Sequence, residues 1–270
     1  MRRILIVGNS HVGAIKLGWE AAPRDDVDVR FFAAPQRTYI SLRLSDELQL
    51  ALPDEIKDRP RLPHRKILTE LNGTNSANLA EFDDVMLVGW PSGADQLAAL
   101  AVSCRLDASN TSQPRNTLLS TPARKAILER LAQSLRPAAE FEKIDSPRLY
   151  LLPRPTLAET ALASDYWAYR NWRTLQREEA SLLSLIEEFD GIRREDLGSV
   201  GISYLGQPPE TRIQLGGTAA QFLAPDAGYI DPKKPSLRGD HIHMNATYGR
   251  ICLDRFWQAL GLEGEYAPVA

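Results

Sequence analysis

Short apolar runs that end at a glycine are the clearest pattern along this chain. Ile4 to Val7 are apolar and stop at Gly8, and Val85 to Val88 stop in the same way at Gly89. Runs of this kind are typical of strands that are buried on both faces of a parallel sheet. Further strands are predicted over residues 27–34, 149–152 and 200–205.

Helical periodicity fills the intervals between the predicted strands. Strands that alternate with helices are typical of a doubly wound α/β fold. We therefore predict one domain over residues 1–270, a three-layer α/β/α sandwich with a flavodoxin-like parallel sheet of about five strands. The helices are predicted over residues 12–20, 94–106, 121–135, 158–189 and 246–260.

Two stretches interrupt this alternation and are predicted to be insertions, near residues 36–80 and 156–235. In the first, alternating leucines favour a hairpin, and prolines argue against a long helix. In the second, an aromatic and basic segment over residues 166–173 fits either core packing or a lid. Its glycine- and proline-rich part, residues 206–235, is predicted to be a long loop of the kind that often carries function.

Composition and charge narrow the classes of function. A formal net charge of -3, without a dense cluster of lysine or arginine, gives no electrostatic reason to expect a nucleic-acid partner. No apolar run is long enough to span a membrane, and the first residues lack the pattern of a signal peptide. Cys104 and Cys252 have neither metal-ligand nor disulfide spacing, so two core thiols are expected. We expect a cytoplasmic protein without metal or other cofactor, and no oligomeric state is predicted.

The side chains able to carry chemistry concentrate at the two ends of the chain. Of the four histidines, His11 lies beside Ser10, and His241 and His243 precede the last predicted helix. A nucleophilic serine needs a base, and the base needs a carboxylate that orients it. Asp240 lies close enough to His243 along the chain to pair with it in a turn. Ser10, at the carboxyl end of the first strand, is therefore predicted to form a catalytic triad with His243 and Asp240.

These residues resemble those of the SGNH, or GDSL-like, hydrolases. Gly8-Asn9-Ser10 is similar to the family's first block, which carries the nucleophile at the end of the first strand. Asp240-His241-Ile242-His243 is similar to its acid and base block before the last helix, and Pro153-Arg154-Pro155 closes a strand similar to its fourth. The resemblance spans nearly the whole chain. It implies an α/β/α fold, a serine nucleophile and an acyl-enzyme.

The oxyanion hole of the family is less complete in this sequence. Its third block, Gly-x-Asn, corresponds to Gly89-Trp90-Pro91, which has no asparagine. Gly73 is the candidate for the second-block glycine. The backbone N–H of Ser10 could supply one donor to the oxyanion, and the turn after Gly89 could supply another. Arg154, Arg170 and Trp90 are candidate substrate contacts.

The resemblance favours a serine esterase or acyltransferase that acts on a small-molecule or glycan ester, for example an acetyl group on a sugar. Two other classes stay open. The missing third-block asparagine fits a catalytically silent module that binds a glycan or a phosphorylated ligand in the same cleft. A phosphate- or nucleotide-binding turn around Ser10 is the least favoured of the three classes, because the lysine and further glycines of such loops are absent. An α/β-hydrolase elbow is disfavoured, because Val12 replaces the last glycine of its motif.

Each of the candidate residues also has a purely structural interpretation. Ser10 could cap the first helix, as serine often does, and Asp240 could cap the last one. His11 is expected to be a partly buried packing or hydrogen-bonding residue rather than a catalyst. His241 could be exposed, and His64, in the proline-rich insertion, is predicted to lie on the surface.

Overall fold

The structure, a computed structural model, describes residues 1–59, 63–106, 117–225 and 239–262. Its main strands follow the apolar runs of the sequence, and every predicted strand is present. The described strands are β1 (Arg2–Gly8), β2 (Val27–Ala33), β3 (Arg43–Leu44), β4 (Gln49–Ala51), β5 (Ser76–Asn78), β6 (Asp84–Trp90), β7 (Arg148–Pro153) and β8 (Ile202–Tyr204).

Helices occupy most of the intervals between these strands. The described helices are α1 (Val12–Ala21), α2 (Gln36–Tyr39), α3 (His64–Asn72), α4 (Ala94–Ser103), α5 (Thr121–Ser134), α6 (Arg170–Arg177), α7 (Leu183–Gly198) and α8 (Ala246–Ala259). Short 3₁₀ turns lie at Leu79–Glu81, Ala139–Lys143, Glu159–Ala163, Trp167–Tyr169, Pro209–Thr211 and Ala220–Phe222.

The main sheet has five strands in the order β2-β1-β6-β7-β8. Each neighbouring pair in it is parallel. Numbered along the chain, these strands have the order 2-1-3-4-5, which is that of flavodoxin-like doubly wound sheets. The predicted fold class is confirmed. Because β1 lies inside this sheet, Ser10 emerges at the carboxyl edge, where open α/β folds bind their ligands.

Both faces of the sheet are covered by packed side chains. Ile4 and Ile6 of β1 belong to the core on the side of α1 and α8, whereas Leu5 and Val7 belong to the core on the opposite side. All four are at most 2% exposed. A strand covered on both faces has no position for a polar side chain, which explains the continuous apolar run. A third apolar cluster joins α4, α5, α6 and α7.

The helices that follow Ser10 and His243 pack closely against each other. A β-carbon at Gly18 of α1 would lie 2.5 Å from the backbone nitrogen of Arg250 in α8 and 2.7 Å from the carbonyl carbon of Gly249. Real β-carbons do not approach backbone atoms so closely, so the crossing requires glycine at this position. The packing of α1 on α8 brings the two ends of the chain together.

The first predicted insertion, residues 36–80, forms a second sheet that is antiparallel. β3 and β4 pair as the predicted hairpin, and β5 pairs with β4. α3 is short, in keeping with the prolines of this segment. Asn72 at its end ties it to the main sheet, because its side chain accepts from the Ala33 N–H at 2.7 Å and donates to the Ala33 carbonyl at 2.9 Å.

The continuous helix predicted over residues 158–189 is wrong. The chain instead forms two 3₁₀ turns and α6, and α7 begins only after a break that includes Glu179 at φ 51°. A residue in this left-handed region cannot continue a right-handed helix. Tyr169 and Trp172 are buried, which confirms core packing for these aromatics, whereas Trp167 is 70% exposed.

The described part of the predicted 206–235 loop is held in place by buried polar side chains; residues 226–235 lie outside the described residues. The amide of Gln207 donates to the hydroxyl oxygens of Thr211 and Thr218, at 3.0 Å each. The Thr218 hydroxyl donates to the Thr156 carbonyl at 2.7 Å. Because buried polar groups need partners, this network fixes the loop against the segment that follows β7.

Two histidines that the sequence placed at the surface are buried instead. His64 is 7% exposed, with its Nδ1 2.9 Å from the Thr38 hydroxyl. His241 is completely buried, with its Nδ1 3.0 Å from the Thr160 hydroxyl. Both predictions are wrong for the same reason. A hydroxyl from a distant segment satisfies a ring nitrogen, which allows the imidazole to be buried.

Both cysteines are free thiols. Cys252 of α8 is completely buried, which confirms the predicted core thiol. Cys104 lies directly after α4 and is only partly buried, so the prediction of full core packing is wrong there.

Candidate active site

The turn that carries Ser10 is held by the buried side chain of Asn9. Its Nδ2 donates to the Gly89 carbonyl at 2.9 Å and also to Gln36 Oε1. Its Oδ1 accepts from the backbone N–H of His11 at 3.1 Å. A β-carbon at Gly89, where φ is +81°, would lie 2.1 Å from Asn9 Oδ1, so the contact requires glycine. Asn9 thus joins the ends of β1 and β6 and leaves Ser10 exposed.

Backbone hydrogen bonds fix the loop that carries the predicted acid and base. The carbonyl of His241 accepts from the Ala158 N–H at 2.9 Å, and the carbonyl of His243 accepts from the Ala224 N–H at 3.0 Å. Ala158 and Ala224 both belong to the second predicted insertion. This insertion therefore positions the His243 loop over the edge of the sheet.

The helix caps are not the residues that the structural interpretations named. Asn245 caps α8, because its side chain accepts from the Tyr248 N–H at 3.0 Å. His11 occupies the N-cap position of α1 without a capping side-chain bond. The interpretations of Ser10 and Asp240 as helix caps are therefore wrong.

Ser10, His243 and Asp240 lie in one chain of hydrogen bonds. Nε2 of His243 is 2.6 Å from Oγ of Ser10, and its Nδ1 is 2.9 Å from Oδ2 of Asp240. Because a carboxylate only accepts, we assign the ring proton to Nδ1, which donates to Asp240. Nε2 is then free to accept from the Ser10 hydroxyl. This is the connectivity that a serine nucleophile, a base and an orienting carboxylate require.

The pKa of the Asp240 carboxyl lies below its usual value. Partial burial acts to raise this pKa, but the hydrogen bond and charge of His243, together with the N–H groups of Ile242 and His243, lower it by more. Asp240 therefore stays ionised at neutral pH. The side chains of His243 and Asp240 are 38% and 45% exposed, so the site is open to solvent.

His11 packs against the predicted base. The ring centroids of His11 and His243 are 5.4 Å apart, and His11 is 8% exposed, which confirms the expected buried packing position. Burial, and after it the charges of His243 and Arg154, lower the pKa of His11 against the opposing charge of Asp240, and the net result is a pKa of about 3. His11 is therefore a neutral imidazole near neutral pH.

Arg154 lies in the wall of a cleft of about 260 Å³ next to the His243 loop. Ile242 of that loop and the exposed Trp167 also line this cleft. Nη2 of Arg154 donates to Asp95 at 2.9 Å, and the other Asp95 oxygen accepts from the Trp172 indole at 3.0 Å. The cleft therefore combines an ion pair with an aromatic face. A larger cleft, about 740 Å³, lies among α4 to α7 and is lined by none of the predicted site residues.

The other predicted oxyanion and substrate residues have structural partners. The indole N–H of Trp90 donates to the Leu135 carbonyl at 2.8 Å, and its ring meets Tyr39 edge-on at 5.5 Å. Gly73 ends α3 with φ +72°. Gly89 makes room for the Asn9 side chain, as described above. It stays a prediction that Gly73, Gly89 and Trp90 contribute to binding the oxyanion or the substrate.

Three residues of the site were not singled out from the sequence. Asn9 had a usable signal, since an amide directly before the nucleophile is suited to fix the turn. Asp95 had none, because Arg154 and Trp172, its partners, lie far along the chain. Trp167 could not be told apart from the neighbouring aromatics that pack in the core.

The described ranges of the chain lack two kinds of feature. Within them, no group of three or more His, Cys, Asp or Glu side chains is placed to hold a metal ion. In the same ranges, no helix has the length and apolar character needed to cross a membrane.

No protein-family model matches this sequence, and no curated protein matches it. Among solved structures, the chain resembles the periplasmic domain of a lipopolysaccharide acetyltransferase from Salmonella ser. Paratyphi A. The TM-score is 0.41 and the identity 9%, over 96% of this chain and 83% of that one. It also resembles a "putative arylesterase" from Agrobacterium tumefaciens str. C58, with a TM-score of 0.38 and 11% identity over 97% and 99% of the two chains. Similarity at this level carries no argument about activity.

Proposed function

We propose that this protein is a serine esterase or acyltransferase of the SGNH type. Ser10 is the nucleophile, His243 the general base and Asp240 the carboxylate that orients it. The observation that carries the proposal is the continuous chain of hydrogen bonds, 2.6 Å from Ser10 Oγ to His243 Nε2 and 2.9 Å from His243 Nδ1 to Asp240. Its position at the carboxyl edge of a parallel sheet supports the proposal, because ligands of open α/β folds bind there.

Acylation of Ser10 is the first half of the proposed reaction. Oγ attacks the carbonyl carbon of the ester while Nε2 of His243 takes the hydroxyl proton. A C–O bond forms, and the carbonyl π electrons move to oxygen to give a tetrahedral oxyanion. When this intermediate collapses, the bond to the alcohol breaks, and the alcohol leaves with the proton from Nε2. Asp240 holds the Nδ1–H throughout and stabilises the imidazolium by its charge.

Release of the acyl group repeats these steps with a second hydroxyl compound. Nε2 takes a proton from that compound as its oxygen attacks the acyl carbon, and Ser10 Oγ leaves with the proton. Attack by water gives hydrolysis, and attack by an alcohol gives transfer. The open position of Ser10 and His243 admits either acceptor.

The developing oxyanion needs hydrogen-bond donors aimed at it. Among the described residues, the backbone N–H of Ser10 donates to no acceptor, whereas that of His11 is used by Asn9. The Ser10 N–H also lies at the start of α1, where the helix dipole favours negative charge. We therefore assign it as one donor.

The cleft beside the triad suits the rest of a small ester. Sugar hydroxyls can bond to the Arg154–Asp95 pair, and the apolar face of a sugar ring can lie on the Trp167 indole. We therefore propose a small-molecule or glycan ester as substrate, and an acetylated sugar is the substrate that we favour. The absence of a cofactor and of a nucleic-acid partner, and a cytoplasmic location, belong to the same proposal.

A catalytically silent binding module is the second candidate. The observation that favours it is Gly89-Trp90-Pro91, which lacks the third-block asparagine. In this case the same cleft would hold a glycan or a phosphorylated ligand, with Arg154 as the anion contact.

Labelling with a fluorophosphonate probe separates the two candidates. The esterase proposal expects covalent labelling of the wild-type protein at Ser10 and hydrolysis of p-nitrophenyl acetate, both abolished in Ser10→Ala. If the wild-type protein is not labelled and its hydrolysis does not exceed that of Ser10→Ala, the esterase proposal is wrong and the silent module stands.

A further inference from the structure

The N–H groups around Ser10 are almost all used by the protein itself. The backbone N–H groups of Val12 and Gly13 donate to the carbonyls of Asn9 and Ser10, at 3.0 and 3.2 Å. The Asn9 amide donates to Gly89 and Gln36, and the Trp90 indole donates to Leu135. Pro91, at the position of the family's asparagine, has no N–H at all. These particular N–H groups are therefore not available as a second donor to the oxyanion.

The His11 ring is the polar side chain beside Ser10 that takes part in none of the described hydrogen bonds. It is 92% buried, and its ring contacts that of His243 at 5.4 Å between centroids, with the planes tilted by 34°. His243 in turn holds the Ser10 hydroxyl. Among the described residues, none makes a hydrogen bond to the His11 ring. Neither ring nitrogen of His11 is among the fully enclosed polar atoms that lack a partner, so a ligand can reach the ring and bond to it.

The charge state of His11 suits a hydrogen-bond donor rather than a second base. Its pKa of about 3 leaves the ring neutral at neutral pH, with one N–H and one lone pair. The groups that face it are His243, Arg154 and Asp240. A neutral imidazole can donate to a developing oxyanion without giving up its proton. Tautomerisation exchanges the N–H and the lone pair between the two ring nitrogens, so either nitrogen can be the donor.

We propose that His11 is a catalytic residue that donates a ring N–H to the carbonyl oxygen of the ester as negative charge develops there. The donation supplements that of the Ser10 backbone N–H and occupies the place of the missing asparagine. No covalent bond to His11 forms or breaks. The inference rests on the proposed function, since it needs an ester attacked by Ser10.

The first test compares two substitutions at His11. His11→Leu fills the space without a donor, and His11→Gln keeps an N–H. His64→Leu is the matched control, because His64 is equally buried, at 7% exposed, but its ring bonds to Thr38 and has no described contact with Ser10, His243 or Asp240. Each variant is first checked for cooperative thermal unfolding, and kcat and KM for p-nitrophenyl acetate are then measured.

Loss of one oxyanion donor should lower kcat of His11→Leu about 10²- to 10³-fold with little change in KM. His11→Gln should recover about tenfold or more of this loss, and His64→Leu should keep the wild-type kcat. If folded His11→Leu keeps its kcat, or if His11→Gln is no faster than His11→Leu, the inference is wrong although the esterase proposal stands. If the wild-type protein itself is not labelled by a fluorophosphonate and shows no Ser10-dependent hydrolysis, both are wrong.

A second measurement does not depend on a variant that folds. Histidine labelled with ¹⁵N is introduced into the wild-type protein, and Ser10 is reacted with a fluorophosphonate whose adduct carries a tetrahedral P–O group. The ring N–H of His11 should shift downfield and become protected from exchange. An N–H signal that stays unchanged after complete labelling overturns the inference.

Discussion

A β-carbon at Gly249 would lie 1.8 Å from the backbone oxygen of Ala14 and 2.4 Å from its carbonyl carbon. α8 and α1 therefore touch through their backbones, and no flexible side chain can move aside. α1 follows Ser10 and α8 follows His243 along the chain. The distance from nucleophile to base thus depends on how closely these two helices pack.

Gly249→Ala is expected to force the helices apart. Overpacking of this kind lowers the free energy of unfolding by about 1–3 kcal/mol, and it should also reduce the rate at which a fluorophosphonate labels Ser10. Urea-induced unfolding measures the first effect. Gly191→Ala in α7 is the control, because a β-carbon there meets no atom within 4 Å. It should be neutral or stabilise by about 0.5–1 kcal/mol. Equal stability of the two variants would show that the backbone contact is not as close as described.

Asp240→Asn is expected to disable the base while the fold survives. An amide can donate to Nδ1 of His243, which places the ring proton on Nε2 and leaves nothing to accept the Ser10 proton. In other Ser-His-Asp triads this exchange lowers kcat about 10⁴-fold. Hydrolysis of p-nitrophenyl acetate and thermal unfolding are the measurements. Asp254→Asn, which removes the same charge from an α8 residue paired with Arg250 at 3.0 Å, is the control. Equal losses in both variants would contradict an orienting role for Asp240.

The buried, neutral state of His11 predicts how stability depends on pH. An unfolded histidine has a pKa near the ordinary value of 6.5, and the pKa of His11 in the fold is about 3. Between these values the unfolded chain binds a proton that the folded chain does not, so stability is fully present above about pH 6.5 and falls as the pH is lowered. At pH 4.5 the loss attributable to His11 is about 3 kcal/mol.

Urea-induced unfolding at pH 7.5 and pH 4.5 checks this prediction in the wild-type protein and in His11→Leu. Carboxylates also contribute to acid destabilisation, so the informative quantity is the difference between the two proteins. The wild-type protein should lose more stability than His11→Leu on acidification. Parallel losses would mean that His11 is protonated in the folded state over this range.

The contact between Ser10 and His243 could be predicted from the sequence because the segment that carries each residue has a recognisable local pattern. The apolar run of β1 identifies an interior strand, and an interior parallel strand delivers the residue after it to the carboxyl edge of the sheet. The short spacing of Asp240 and His243 in a turn allows them to pair. Only the approach of the two segments required the fold, whereas the parallel character of the sheet follows from the alternation of strands and helices.

Other parts of the site depend on partners that are distant along the chain. The rings of His64 and His241 are buried because each forms a hydrogen bond with a threonine hydroxyl, of Thr38 and Thr160 respectively. No sequence pattern near either histidine indicates these partners. The break in the helix before α7 could not be predicted from local sequence either. Residues 158–189 have helical spacing throughout, but bonds to other segments hold parts of the chain, such as the donation from the Ala158 N–H to the His241 carbonyl. Tertiary contacts here override local propensity.

The exposed indole of Trp167 is predicted to contribute to the binding of larger esters. It is 70% exposed and lines the cleft that also contains Ile242 of the His243 loop. Stacking on an aromatic face is worth about 0.5–1.5 kcal/mol. Trp167→Ala should therefore lower kcat/KM for a mono-acetylated methyl hexoside about 3- to 10-fold, mainly through KM. The loss for ethyl acetate, which has no sugar ring to stack on the indole, should be smaller.

Leu71→Ala is the control for this prediction, because Leu71 is an exposed apolar side chain, 56% accessible, on α3. Leu71→Ala should leave kcat/KM unchanged for both the acetylated hexoside and ethyl acetate. The comparison of the two esters separates substrate binding from damage to the triad. A defect in the approach of His243 to Ser10 lowers the rates for both esters by the same factor, because both use the same base. A loss of stacking affects only the ester that spans the cleft. Equal losses for the two esters in Trp167→Ala would place the role of Trp167 in supporting the His243 loop and not in contacting substrate.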